Sequence, residues 1–346
     1  MGVTTLRLHD GMFQANRRLL VRNGELSATA FRYASGVAGL EIDNGVGRIV
    51  LLPFQGQQIW DAEFLNRRLT METWFDQPLP TRDYLATYGA FFLHCGGTAM
   101  GNPGPEDDHP LHGELPNMPY EIAELHFGSD EMGDWVELTG IGRERRAFSH
   151  HFEMRPRLRL RAGATEIEVS FDVENKAGSV LPFFYLGHIN FRPVGGARIV
   201  DSLTDDRCQI VLRKPDLLDD TPAEIRAWHE ALAADPSLHR RIGHAERVEP
   251  EMVMTLRPPA GADGWAEAQQ QHPDGSADFV RHRPDELPFS IRWITRSSDR
   301  QAIGFSLPAS APPDGRNAGL TNGQAIMIAP RATFGARMRF GCKGAQ

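Results

Sequence analysis

Imidazoles and carboxylates gather where the chain is richest in glycine and proline. His94, His109, His112 and Glu114 all fall between residues 94 and 114, in FFLHCGGTAMGNPG and PLHGELPNMP. If that segment folds back on a sheet, its side chains converge, and such a set could move protons or hold a metal. If it stays in solvent, the same side chains are simply hydrated. A metal needs three or four ligands at about 2.0–2.2 Å, and the H-x-x-H of His109 and His112 lacks the i,i+4 spacing of a zinc-protease helix. His188 differs, because FFYLGHINF is apolar enough to be interior, with Asn190 two residues on. One reading is a core histidine satisfied by a carbonyl. The other is acid–base chemistry, because apolar surroundings disfavour the cation and bring the imidazole toward or below neutrality.

Other groups carry less. His150 and His151 follow RERR and read as a solvated strand edge, while the arginines of RPRLRLR alternate with leucine and line the wet face of a strand. The sequence contains no G-x-x-x-x-G-K-[ST], no G-x-G-x-x-G opening a helix and no G-x-S-x-G, so phosphoryl transfer, hydride transfer and serine hydrolysis drop out.

The elements that must position these residues read as β. Residues 36–60 form β-rich runs broken at Asn-Gly and Gly-x-Gly. Leu158 and Leu160 alternate with arginines, residues 162–164 turn the chain, and Ile167, Val169, Phe171 and Val173 alternate with polar residues. One face is core and the other is wet. LPFFYLGHINF predicts a buried strand, and SIRWITR, AIGFSLPAS, AIMIAP and TFGARMRFG predict further ones. Thr221 and Glu224 with Pro222 between them predict a capped helix, with Ile225, Trp228 and Leu232 on one face and a second start at Asp235-Pro236. This is a helical insertion over about 221–243. Two long loops are expected, 101–119 and 257–276, the second a solvated excursion. The expected architecture is mainly β, one large β domain over residues 1–346.

Composition sets the outer limits. The 346 residues are 41% hydrophobic and 24% charged, ordinary proportions for a chain with a sizeable core. Lys and Arg number 37 against 45 Asp and Glu, giving −8, which removes the basic field a nucleic acid or an anionic membrane would need. Three widely spaced cysteines, Cys95, Cys208 and Cys342, make no C-x-x-C pair, and neither a signal pattern nor an apolar run of about 20 residues is present. The expectation is a cytoplasmic protein without nucleic-acid or membrane partners.

The order FFLHCGGTAMGNPG, PLHGELPNMP, YLGHINF and then GFSLPASAPPDGR through TFGARMRFG resembles the galactose mutarotase-like, or aldose 1-epimerase-like, superfamily. It is most similar to a bacterial branch known mainly as a domain of unknown function. The resemblance runs from about Tyr88 to Phe340, and its most specific points are His112-Gly113 and His188-x-Asn190. It implies a single large antiparallel β-sandwich, the supersandwich fold, and an isomerase that opens and recloses a sugar hemiacetal without a cofactor. His112 would then orient the sugar and His188 would protonate the ring oxygen. A small-molecule sugar or sugar acid is the implied partner, and a homodimer is compatible with it.

The departure lies at the general base. The family glutamate precedes a proline, but GFSLPAS puts Leu307 there, and leucine takes no proton. Glu114, Glu286 and Asp314 are substitutes, with Glu114 foremost and Asp314 more naturally a turn residue. Hydroxyls of the sugar would be read by Asn117, Asn190, Gln58 and Arg82, with His94 beside them and Trp293 or Trp74 covering the ring's C–H face. Arg82 or Arg192 would also suit an acidic sugar by bidentate pairing. A second enzyme reading makes His94, His112, Glu114 and His188 the ligands of a divalent metal in a sugar or sugar-acid isomerase or lyase. A third is a carbohydrate-binding sandwich without catalysis.

Overall fold

The alternation at residues 158–173 becomes a hairpin of the strands His150–Arg161 and Glu166–Asn175, with Leu158 opposite Val169 and Leu160 opposite Ile167. Gly163 turns it at a φ of 69°. Ile167, Val169, Phe171 and Val173 are buried, while the outward residues form an ion-pair ladder, Arg155 to Glu174 and Arg157 to Asp172. The computed structural model describes residues 2–203, 210–215, 217–244 and 247–345. Cys208 lies outside them. Cys95 and Cys342 are buried free thiols.

This hairpin belongs to a nine-stranded sheet that packs on a thirteen-stranded one, with every strand-to-strand ladder antiparallel among the described residues. The mainly β, sandwich expectation is what the structure shows. Aromatic rings fill the space between layers: Phe171 lies 4.1 Å from Tyr185, Phe340 lies 5.2 Å from Phe92, and Phe152 lies 5.9 Å from Phe183. In the larger sheet the strands Val248–Leu256, Phe289–Arg296, Gln301–Ala309, Leu181–Ile189 and Phe92–Gly97 lie side by side. They carry the site.

Strand period decides which histidine faces where. A Cβ on Gly187 would stand 2.7 Å from Met338 Sδ of the other sheet, so residue 187 faces the interior and His188 the opposite side. His94 pairs with Gly187 across the ladder and shares its inward face, its ring 6.1 Å from Phe171.

Two expectations change. Within 257–276, Ala266–Gln271 is a strand, paired with both Ala277–His282 and Arg198–Asp201. Its buried residues are Ala266, Ala268 and Gln270, small or polar, so no apolar signal marks them. Gln270 is satisfied internally, donating to Asp278 at 2.8 Å and accepting from the Val194 amide at 3.1 Å. The helix Ala223–Ala234 forms, with Ile225 and Leu232 buried and Trp228 half-buried, but it lacks the capping box. Pro222 is itself the N-cap, its carbonyl accepting from Ile225 and Arg226, which leaves Thr221 one residue too early. Asp235 does begin a second turn, its side chain accepting from the Ser237 amide at 3.0 Å. A further short helix, Arg316–Thr321, follows Asp314.

Candidate active site

His188 projects from the larger sheet into a cleft of about 580 Å³ whose floor is Leu186, Val253, Ile291, Trp293 and Leu307. These residues come from four adjacent strands and share one face. Above them stands the glycine- and proline-rich segment. Gly96 donates to the His112 carbonyl at 2.8 Å, and the His112 amide donates to Gly101 at 3.1 Å, which pins the loop onto the strand Phe92–Gly97. His112 takes a φ of 58° and Gly113 one of 74°. A Cβ on Gly113 would lie 2.3 Å from the Ala99 carbonyl oxygen, so only glycine fits there. The His-Gly pair is therefore a left-handed turn that delivers His112 to the cleft.

The two imidazoles meet at 5.5 Å between ring centroids, nearly perpendicular. Aromatic rings wall them in: Tyr84 is 4.9 Å from His112, while Tyr88 and Trp293 are 5.8 and 5.2 Å from His188. Burial pulls His188 down to about 4, and burial with the neighbouring His188 and Arg213 holds His112 well below the usual imidazole range. Both are neutral near pH 7. The Nδ1 of each is buried without a partner in the protein, so each has hydrogen-bonding capacity left for a ligand. Burial pushes the phenols of Tyr84 and Tyr88 well up, so they act as neutral hydroxyls.

Glu251 contributes the one carboxylate of the lining, from the strand Val248–Leu256. It accepts the indole N–H of Trp293, which fixes carboxylate and ring together. Leu307, 1% exposed, lies in the same lining. Arg213 provides a guanidinium, donating to the Pro313 carbonyl at 2.8 Å and to Asp314 at 3.1 Å.

The remaining sequence candidates lie elsewhere. Glu114 accepts from the Thr98 amide at 2.8 Å and its hydroxyl at 2.6 Å, outside the lining. His94 is bonded to the Tyr185 hydroxyl at 2.7 Å between the sheets, and burial lowers it to about 3. Gln58 donates to the Asn117 side chain at 2.8 Å, and Asn117 also accepts from Gln55, so this amide pair ties loops together. Arg82 reaches the Glu114 carbonyl and Glu144, and Arg192 reaches the Thr70 carbonyl. Glu286 pairs with Arg337, and the exposed Trp74 donates to Asp299. Asn190 sits one step behind the cleft, accepting the Tyr88 hydroxyl at 3.0 Å and donating to the Ala90 carbonyl. His109 bonds the Pro110 carbonyl.

His94 and His188 thus occupy opposite faces of one sheet, and the four proposed metal donors do not converge. Among the described residues no group of three or more His, Cys, Asp or Glu is placed to hold a metal ion. No motif in the sequence marks Glu251, Arg213, Tyr84 or Tyr88 as lining the cleft. Glu251 precedes the continuous buried run Met252, Val253 and Met254 and falls in a register irregularity of its strand, so no alternation marks it, and only its bond from the Trp293 indole does.

Two antiparallel sheets over an aromatic interior, with the cleft on the outer face of the larger, define a galactose mutarotase-like sandwich. Similar structures are a candidate aldose 1-epimerase from Klebsiella pneumoniae subsp. pneumoniae, TM-score 0.80 at 15% identity over 99% of this chain and 91% of that one, and a galactose mutarotase-like protein from Clostridium acetobutylicum, TM-score 0.63 at 11% identity over 93% and 100%. The galactose 1-epimerase of Lactobacillus acidophilus NCFM aligns over 100% of both chains, TM-score 0.54 at 11% identity. The chain belongs to the family described as a domain of unknown function, DUF4432, whose model matches residues 34–341. No curated protein matches it. Among the described residues no helix is long and apolar enough to cross a membrane.

Proposed function

We propose that this protein is an aldose 1-epimerase-like isomerase that interconverts the anomers of a small sugar, with Glu251 as its general base. The observation that carries this reading is the convergence of His112, His188 and Glu251 on one aromatic-walled cleft. Trp293 offers its face to the ring's C–H side, and His112, Tyr84 and Arg213 offer hydrogen bonds to the hydroxyls.

The chemistry moves two protons. Glu251 takes the proton of the C1 hydroxyl, the C1–O5 bond breaks, and His188 delivers a proton to O5. The product is the open aldehyde. Rotation about C1–C2 presents the other carbonyl face, O5 attacks C1 again, and both protons return. No net redox change occurs, and the protein's own residues suffice for each transfer. Because burial disfavours its cation, His188 holds the required proton in only about one molecule in a thousand at pH 7, and as a correspondingly strong acid.

The test is anomer exchange followed by NMR on a panel of neutral and acidic aldoses, above the uncatalysed rate, before and after chelation. The expected outcome is exchange that survives chelation and falls about 10²- to 10⁴-fold in His188→Ala. Exchange that disappears with a chelator, or that is indifferent to His188, overturns the reading.

A further inference from the structure

The cleft does not end at Trp293. Tyr88, Glu251 and Trp293 are a shared wall, and beyond them opens a second lobe of about 860 Å³. Glu72, Thr73, Glu249, Thr295, Arg300 and Gln301 give it polar sides, while Met71, Pro250 and Ala302 give it an apolar floor.

The second lobe has the features of a carbohydrate site. Its hydrogen-bonding groups are fixed in advance: Gln301 donates to Glu72 at 2.9 Å, and Glu249 is held by Arg247 and, at 3.9 Å, by Arg300. Beside it Trp74 is 64% exposed, next in sequence to Thr73 of the lining. Its indole N–H is anchored on Asp299 at 3.0 Å, and Arg300, also of the lining, lies over its ring at 4.7 Å. With Arg300 over its ring, the indole still keeps most of its surface open beside the polar lobe, where it could stack on the C–H face of a sugar. The charge is also selective. Three carboxylates, of Glu72, Glu249 and Glu251, outnumber the guanidinium groups of Arg300 in the lining and Arg247 behind Glu249, so the lobe disfavours an anion and accepts hydroxyl protons.

We propose that this lobe is a second sugar subsite, which takes a neutral, hydroxyl-rich unit joined to the reducing sugar at His112 and His188. The substrate class is then a reducing disaccharide or longer oligosaccharide. This inference rests on the reading of the first lobe as a sugar site. Trp293 separates the two units, and Glu251 stands where both lobes meet, within reach of the reducing end.

The experiment compares lactose, cellobiose and maltose with galactose and glucose, and with an aldobiouronic acid, on the full chain. Binding is read by saturation-transfer NMR and calorimetry, and anomer exchange by NMR. At least one neutral disaccharide should be preferred over its reducing monosaccharide by about tenfold, the worth of one well-placed aromatic contact. That preference ratio should collapse in Trp74→Ala, which removes an exposed side chain, and in Thr295→Trp, which fills the lobe. Equal handling of mono- and disaccharides, a preference for the acidic disaccharide, or a ratio unmoved by both variants overturns the inference. The two readings fail separately. Disaccharide binding that depends on Trp74 without anomer exchange keeps the subsite and removes the isomerase. Exchange of monosaccharides with no disaccharide preference does the reverse.

Discussion

Glu251 and His188 divide the proposed work unequally, because one is held by an indole N–H and the other by nothing at its Nδ1. Glu251→Gln keeps the size and the bond from Trp293 while removing the base. Anomer exchange should fall about 10²- to 10⁴-fold with little change in sugar affinity, read as kcat against KM by NMR. The acid sets the pH profile. Above its depressed value of about 4, the protonated fraction of His188 drops tenfold per pH unit, so kcat/KM should decline from pH 6 to pH 8. A rate that climbs over that interval removes His188 as the acid. His112 and His188 were legible in the sequence through their short motifs and their order. Glu251 was not, because its partner Trp293 lies 42 residues away and only pairing of the strands puts them on one face.

At the scale of the element, the His112 turn is the most exposed to substitution. Gly113→Ala sets a Cβ against the Ala99 and Gly96 carbonyl oxygens at a φ of 74°. The strain should cost about 1–3 kcal/mol, visible as a lower urea midpoint, and should displace His112 enough to weaken sugar binding. The strands themselves divide by the kind of signal they carry. Glu166–Asn175 announces itself by alternation, since its inward residues are Ile, Val and Phe. Ala266–Gln271 does not, because alanine packs close to a neighbouring layer and Gln270 satisfies itself inside. The helix at Ala223 was legible by its apolar face, though its cap was not, because proline supplies the capping carbonyl itself.

For the molecule as a whole, buried neutral histidines make stability depend on pH. Burial lowers His94 and His239 to about 3 and His188 and His282 to about 4, whereas an unfolded histidine titrates near 6.5. The unfolded chain therefore binds more protons below that value. Their contribution is full above about pH 6.5 and is lost as pH falls toward 4, by up to about 1.4 kcal/mol per unit for each group. Urea midpoints at pH 7 and pH 4.5 should differ accordingly, and a flat profile would mean these rings are hydrated. Strand order also orders events in time. Tyr120–Asp130, Gly133–Arg146, His150–Arg161 and Glu166–Asn175 are neighbours in both sequence and sheet, so they close through short loops. The strands beneath the cleft unite residues 92–97 with 181–189, 248–256, 289–296 and 301–309, and long closures are slow. The strands of the meander can pair while the nascent chain is still emerging, but the cleft needs the strand at 301–309 and Pro313 beyond it, so a chain that stops short of them is a scaffold without a pocket.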